Sequence, residues 1–216
     1  MKINELKNLL NEFGEKVRFE HDLKKKNWFN IGGKSKVFFK ADNLKELINF
    51  IKKLKGREKI FILGAGSNTL MTDNLFDGVV IKLSRNFNNI SLLGKDVIIA
   101  GSAVLDKALS DFAISNHLSG FEFLSCIPGT IGGGIRMNAG CFGKEFKDIL
   151  LSIQAIDSLG NVITLPSTDI KFEYRKTNLP DDFVFLSASF KGIKGNVDEI
   201  KNFTNELKSK KEKAQP

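Results

Sequence analysis

The stretch IPGTIGGGIRMNAG, residues 127–140, places five glycines among fourteen residues. Glycine loses more backbone freedom on folding than any other residue, so this density is costly unless bare backbone is needed. A flexible linker would be rich in serine and poor in large apolar residues, whereas this stretch contains Ile131, Ile135 and Met137. The pattern predicts that a ligand lies directly against the main chain.

A second glycine turn, LGAGSN at residues 63–68, follows a buried strand pattern. It begins like the dinucleotide fingerprint G-x-G-x-x-G, but Thr69 stands at the sixth place and no capped amphipathic helix follows. Such a turn can still direct N–H groups at an anion. In PGTIGG, Thr130, Gly132 and Gly133 can open a short helix whose first amides face a phosphate. Each turn alone fits a plain chain turn equally well, and the two together predict a diphosphate.

The composition favours a compact protein without a membrane segment. The chain has 216 residues, of which 42% are hydrophobic and 27% charged, enough to bury a core. No window approaches the roughly 18 uncharged apolar residues of a membrane span, and the charged N-terminus does not fit a signal peptide. We therefore expect a cytoplasmic protein with no membrane partner.

The net charge of +8 points to an anionic small molecule. Only five of the 33 basic residues are arginine and the lysines are scattered, whereas proteins that bind nucleic acid cluster arginine or interleave basic and aromatic residues. No nucleic-acid partner is expected. Cys126 and Cys141 have no metal-ligand spacing, so both are predicted to be reduced and no metal is predicted.

Apolar periodicity predicts an α+β chain with two α/β units. Residues 36–83 fit β-α-β-β, with a helix in DNLKELINFIKKLKG that Gly56 ends. The second unit starts at KDVIIAG, crosses the glycine-rich stretch and returns through three strands, with SLGN as a hairpin turn. The expected boundaries are 1–22 for an N-terminal amphipathic helix, 23–85 and 86–195 for the two units, and 196–216 for a polar connector helix.

The segment FEYRKTNLP, residues 172–180, holds the only tyrosine, Tyr174, beside Arg175. An arginine next to a tyrosine is usually a surface residue that covers the ring. The alternative is a fixed positive charge for an anionic substrate or a developing enolate. His21 and His117 have no partner pattern and are predicted to be surface or packing residues.

Four motifs occur in order: NIGGKSKVFF, ILGAGSNTLMTD, GFEFLSCIPGTIGGGIRMNAGCFGKEFKD and FEYRKTNLP. Together they resemble the UDP-N-acetylenolpyruvoylglucosamine reductases, flavoenzymes that make UDP-N-acetylmuramate for bacterial peptidoglycan. The resemblance covers about residues 20–216. It implies a vanillyl-alcohol-oxidase-like (PCMH-type) FAD fold of two α/β subdomains, followed in the family by a third domain that closes over the substrate.

The resemblance also implies noncovalent FAD between the two units and NADPH as the reductant. The implied cofactor-binding residues lie in glycine-rich loops: Ile31, Gly32, Gly33, Gly64, Ala65, Gly66, Ser67, Asn68, Pro128, Gly129, Thr130, Gly132, Gly133, Asn138, Ala139 and Gly140. Tyr174 and Arg175 are the implied substrate-binding residues, and Arg175 is the implied catalytic residue. The implied reaction is hydride transfer from NADPH through the flavin to UDP-N-acetylenolpyruvoylglucosamine.

The family's proton-donating serine and C-terminal glutamate find no counterpart before Gln215 and Pro216. The chain is therefore expected to be incomplete as a reductase, and a separate chain carrying the third domain is one partner that this interpretation allows. Two other functions stay open: an FAD-binding module without catalysis of its own, and another FAD oxidoreductase of the same superfamily.

Overall fold

The computed structural model describes residues 1–214 and divides them into two compact units. The first comprises Met1–Phe87, Ala155–Ile163 and Pro180–Val184, and the second comprises Asn88–Gln154, Thr164–Leu179 and residues 185–214. The mixture of helices and strands confirms the predicted α+β class. Within the described range, no helix is long and apolar enough to cross a membrane. The predicted domain boundaries stay predictions, and Gln215 and Pro216 of the predicted connector helix lie outside the described residues.

The first unit is built on a four-stranded sheet. Its elements are α1 (Ile3–Leu9), β1 (Val17–Asp22), β2 (Lys34–Ala41), α2 (Leu44–Leu54), β3 (Ile60–Ile62) and β4 (Phe76–Leu83). The strand order is β1-β2-β4-β3, with β1 antiparallel to β2 and with β2 and β3 parallel to β4. The β-α-β-β order predicted for residues 36–83 is confirmed.

The N-terminal helix is shorter than predicted. Helix α1 ends at Leu9, a 3-10 segment follows over Asn11–Lys16, and the chain then enters β1. In β1 the less exposed side chains alternate, beginning at Val17, which is a period of two that suits a strand and not a helix. Helix α2 ends at Leu54 with Lys55, and not Gly56, as its left-handed C-cap.

Two apolar clusters lie on opposite faces of β2, because successive side chains of a strand point to opposite sides. On one face, Phe39 stacks on Phe50 of α2 with ring centroids 3.9 Å apart, and Phe13 meets both rings edge-on. On the other face, Phe38 belongs to a cluster with Leu23, Leu63 and Val80, and Met71 and Phe76 pack against this cluster. This second cluster supports the first glycine turn.

The second unit contains most of a five-stranded sheet. Its elements are β5 (Ile90–Leu93), β6 (Val97–Gly101), α3 (Asp106–Ser115), β7 (Leu118–Ser119), α4 (Ile131–Arg136), β8 (Gly140–Cys141), β9 (Lys144–Glu145), β10 (Leu150–Ile156), β11 (Val162–Pro166), β12 (Phe172–Glu173), β13 (Lys176–Thr177), β14 (Val184–Lys191), β15 (Ile193–Lys194) and α5 (Val197–Ala214). The sheet order is β11-β10-β14-β6-β5. The SLGN turn between neighbouring β10 and β11 is confirmed. Phe121, Phe146 and Phe190 form an edge-to-face aromatic core in this unit.

Candidate functional site

Residues 64–68 form the turn after β3. The Gly66 carbonyl accepts the Trp28 N–H at 3.0 Å, and Gly66 has φ 72°, in the left-handed region. A Cβ at Gly66 would lie 2.5 Å from the Lys26 carbonyl oxygen and 2.8 Å from Asn27 Cα. Both the φ angle and the close approach of main chain therefore require glycine at this position.

Residues 31–33 lie against the same segment of the first unit. The buried Asn27 side chain donates to the Ile31 carbonyl at 2.7 Å, while the Gly33 N–H donates to the Thr72 carbonyl at 2.7 Å. A Cβ at Gly32 would meet the Cβ of Met71. The structure thus brings the predicted residues 31–33 and 64–68 together on both sides of Asn27. Asn27 was not predicted from the sequence, although it lies directly before the first motif in the segment NWF.

Lys82 lies beneath the first glycine turn and has no acidic partner among the residues that the structure describes. The half-buried Lys82 ammonium group donates a hydrogen bond to the Gly64 carbonyl. Burial and the nearby positive charge of Lys26 lower the pKa of Lys82. Among residues 1–214, no carboxylate contributes to that shift. An uncompensated ammonium group under a glycine turn fits an anionic ligand such as a diphosphate. Lys82 was not predicted from the sequence because it lies in β4, 18 residues along the chain from Gly64.

Residues 128–133 form the second glycine turn and are held by the segment that precedes α3. The contacts are backbone hydrogen bonds and one β-bridge: Asp106 N–H to the Gly129 carbonyl at 3.2 Å, Leu105 with Thr130, Ile131 N–H to the Val104 carbonyl at 2.9 Å, and Gly132 N–H to the Ser102 carbonyl at 3.0 Å. The predicted short helix is confirmed as α4, with Thr130 as its N-cap. The Gly132 amide already has a protein acceptor, so the predicted amide contact with a phosphate is wrong for Gly132. It stays a prediction for the exposed Gly133.

Asn138 is buried in the second unit and its side chain binds three protein groups. Its amide nitrogen donates to the Glu145 carboxylate at 2.9 Å and to the Glu173 carbonyl at 3.2 Å, and its oxygen accepts the Lys147 N–H at 3.1 Å. These bonds fix the β8–β9 hairpin to β12. Because its side chain is already hydrogen-bonded to protein groups, Asn138 shapes the site by holding these segments together.

A cleft of about 220 Å³ lies within the second unit. Its lining comes from the end of the glycine-rich stretch, the β8–β9 hairpin and the turn between β12 and β13: Asn138, Gly140, Cys141, Phe142, Gly143, Lys144, Glu145, Tyr174 and Arg175. Ala139, between Asn138 and Gly140, is buried, and its carbonyl accepts the Phe146 N–H at 3.0 Å. Four predicted site residues, Asn138, Gly140, Tyr174 and Arg175, therefore meet in one cleft.

The cleft carries an exposed positive charge at Arg175. This residue occupies a two-residue turn with φ 57°, and its guanidinium carbon lies 5.7 Å from the centre of the Tyr174 ring. The hydrogen bond from Lys147, with a smaller effect of Arg175, holds the pKa of Glu145 below its usual value. Burial raises the pKa of the Cys141 thiol. Glu145 is already paired with Lys147 at 2.6 Å, which leaves Arg175 to attract an anionic ligand.

Known proteins resemble this chain over most or all of its length. The family described as FAD binding domain matches residues 35–166. UDP-N-acetylenolpyruvoylglucosamine reductase of Pelagibacter ubique (strain HTCC1062) is 63% identical over 216 residues, which are 100% of this chain and 72% of that protein. The protein of the same name from Rickettsia bellii (strain RML369-C) is 44% identical over 199 residues, which are 92% of this chain and 66% of that protein. The chain belongs to the UDP-N-acetylenolpyruvoylglucosamine reductase family.

A solved structure of the same family is similar to this chain over most of its length. The crystal structure of UDP-N-acetylenolpyruvylglucosamine reductase from Thermus caldophilus has a TM-score of 0.80 and 27% identity, and the match covers 93% of this chain and 71% of that one. Alkyldihydroxyacetonephosphate synthase shares the fold alone, with a TM-score of 0.59 and 11% identity over 90% of this chain and 44% of that one. The predicted FAD-binding fold and reductase family are confirmed. The roles of individual residues stay predictions.

Proposed function

We propose that this chain binds FAD noncovalently and contributes the flavin-binding region of an enzyme that reduces UDP-N-acetylenolpyruvoylglucosamine to UDP-N-acetylmuramate. The observation that carries the proposal is 63% identity, over the whole chain, to the Pelagibacter ubique reductase. The proposal includes NADPH as the reductant and the cytoplasmic location expected from the sequence.

The donor groups of the two glycine turns support diphosphate binding. In the first unit, the Lys82 ammonium group has no carboxylate partner in the described range and bonds to the Gly64 carbonyl. In the second unit, Gly133 is exposed at the start of α4, and even a Cβ there would find its nearest atom, Thr130 Oγ1, at 3.6 Å. We propose that each turn contacts the diphosphate of FAD through these groups.

Arg175 supports recognition of the substrate carboxylate. The bound cofactor would supply hydride transfer between NADPH and the enolpyruvyl group. A carboxylate on that group needs a fixed positive charge where negative charge develops during reduction. Pairing of β12 with β13 fixes the backbone on both sides of Arg175, and the cleft leaves its guanidinium group accessible. We propose that Arg175 binds this carboxylate while Tyr174 supports the guanidinium plane.

Flavin fluorescence titration of the wild type and Gly132→Leu tests cofactor binding. A Cβ at Gly132 would already lie 3.1 Å from Ser102 Cβ, so the larger leucine side chain must displace the turn. We expect FAD binding by the wild type and a loss of at least about 100-fold in Gly132→Leu, the equivalent of about 2.7 kcal/mol. Ser115→Leu, at an exposed position of α3, is the control and should bind like the wild type. Failure of the wild type to bind FAD would overturn the proposal.

A further inference from the structure

Asp106, the first residue of α3, carries a fully enclosed carboxyl group. Within residues 1–214, neither of its carboxyl oxygens has a hydrogen-bond partner. An ionised carboxylate in such a place is strongly unfavourable, and a group so placed takes up a proton instead. The reaction steps proposed above do not use Asp106, so its burial needs a separate explanation.

The Asp106 carboxyl group lies directly against the second glycine turn. A Cβ added to Gly129 would be 2.6 Å from Asp106 Oδ2, so this carboxyl group fills the space that a side chain at position 129 would need. The backbone N–H of the same aspartate binds the Gly129 carbonyl at 3.2 Å. Ser102 Oγ, on the segment that holds Gly132, is also buried without a partner in the described part of the chain. Two unpartnered polar groups therefore lie on the segment that holds residues 128–133.

Within residues 1–214, no charged side chain contributes to the pKa of the Asp106 carboxyl group. Burial alone raises its pKa to about 8, with no contribution from α3, α5 or the segment Glu122–Cys126. Glu122 accepts the Gly120 N–H at 2.9 Å, and Lys211 of α5 donates to the Cys126 carbonyl at 2.6 Å. Strand β7 and residues 128–133 contain no ionisable side chain. The charge state of Asp106 is therefore set by its enclosure.

We propose that Asp106 is a positioning residue that holds residues 128–133 in their ligand-binding conformation as a neutral carboxylic acid. The inference rests on the proposed binding of FAD, because the diphosphate is the anion that the turn would hold. Ionisation of Asp106 would place a negative charge under that turn in a low-dielectric layer, where like charges repel most strongly. It would also draw water beneath the turn and displace Gly129.

The affinity for FAD should therefore fall as Asp106 ionises. With a pKa of about 8, the neutral fraction is roughly ten elevenths at pH 7 and one eleventh at pH 9. The Kd measured by flavin fluorescence should rise about tenfold between these two pH values. Asp106→Asn keeps the volume and stays neutral, so its Kd should not change with pH. Asp111→Asn, at an exposed position of the same helix, is the matched control and should retain the tenfold rise.

Urea unfolding of the FAD-free chain between pH 5 and pH 9 tests the same charge state without the cofactor. The folded pKa of Asp106 is raised above the unfolded value of 3.8, so the folded state binds the proton more tightly. Its contribution to stability is complete below the unfolded pKa and is lost as the pH rises to about 8. The unfolding midpoint of the wild type should fall over this range relative to that of Asp106→Asn.

The two measurements separate the inference from the proposed function. If no variant binds FAD, the proposed function is overturned, and the unfolding midpoints still decide the charge state of Asp106. Parallel pH profiles of the wild type and Asp106→Asn would overturn the inference. If Asp106→Asn does not fold, infrared spectroscopy of the wild type at pH 7 decides: the carbonyl band of a protonated carboxyl group supports a neutral Asp106, and its absence refutes it.

Discussion

Substitution of Gly66 by alanine tests whether the first glycine turn is constrained by its own backbone packing. Gly66 is buried with φ 72°. An added Cβ would lie 2.5 Å from the Lys26 carbonyl oxygen and 2.8 Å from Asn27 Cα. These are main-chain atoms, so a side-chain rotation cannot relieve the overlap, and the segment before β2 must move.

The expected loss of stability has two parts. A left-handed conformation costs a residue with a Cβ about 1–2 kcal/mol, and the overlap with main chain adds about 1–3 kcal/mol. Gly56 is the matched control, because it has φ 67° and nothing within 4 Å of an added Cβ. Gly56→Ala should therefore lose only the first part, which leaves about 1–3 kcal/mol between the two variants. The lower entropy of the unfolded chain with alanine is common to both variants and cancels.

Urea unfolding followed by tryptophan fluorescence measures this difference directly. Trp28 is the only tryptophan, and its backbone N–H binds the Gly66 carbonyl at 3.0 Å, so the fluorophore belongs to the residue that contacts the substituted position. With a urea m-value of about 2 kcal/mol/M, the midpoints of the two variants should differ by about 0.5–1.5 M. Equal midpoints would refute the reasoning, because they would mean that the segment moves away from an added methyl group at no cost.

Two further predictions concern charged groups. Arg175→Ala should leave the FAD content unchanged and weaken binding of UDP-N-acetylenolpyruvoylglucosamine by about 10- to 100-fold in calorimetric titration, because one charged hydrogen-bonding contact is lost; an effect on FAD alone would contradict the assigned role. Glu58→Gln should cost about 1.5–3 kcal/mol in urea unfolding, because the Glu58 side chain is 3% exposed and its carboxylate pairs with the Lys36 ammonium group at 3.0 Å and with the Met1 amino group at 2.6 Å. Asp77→Asn removes the other partner of Lys36 and should cost much less, because the Asp77 side chain is 81% exposed; similar losses for the two would contradict this difference.

Local signals in the sequence were sufficient for some regular elements and not for others. Helix α2 was predictable because its N-cap, Asn43, accepts the Glu46 N–H at 2.9 Å, and the apolar spacing continues through the helix. Strand β1 was missed because its sequence, VRFEHD, has charged residues at every second position and only β2 supplies its pairing. Strand β5 was missed because it has only four residues, Ile90–Leu93. Such strands are defined by their partners in the sheet more than by their own sequence.

The side chains around the glycine turns could not be predicted because they come from other parts of the chain. Lys82 meets Gly64 across 18 positions of the sequence. Asp106 stands in the first turn of α3, where acidic residues are common, so its sequence position gives no signal of burial. Its enclosure depends on Gly129, which only the fold brings against it. The sequence shows where glycines leave the backbone without side chains. The ionisable side chains that lie against these turns, Lys82 and Asp106, are brought there by the tertiary structure.

The glycine-rich stretch itself has a different explanation from the one that its density suggests. Added side chains would meet the Asp106 carboxyl group at Gly129, the Phe146 ring at Gly134 and the Lys144 carbonyl at Gly140. These glycines are needed because other parts of the protein lie against them, and a ligand is not required to explain them. Gly133 differs, since it is exposed and an added Cβ there would have only ordinary contacts. Gly133 is therefore the glycine at the start of α4 whose bare backbone faces solvent, and it is the one that we propose for contact with a ligand.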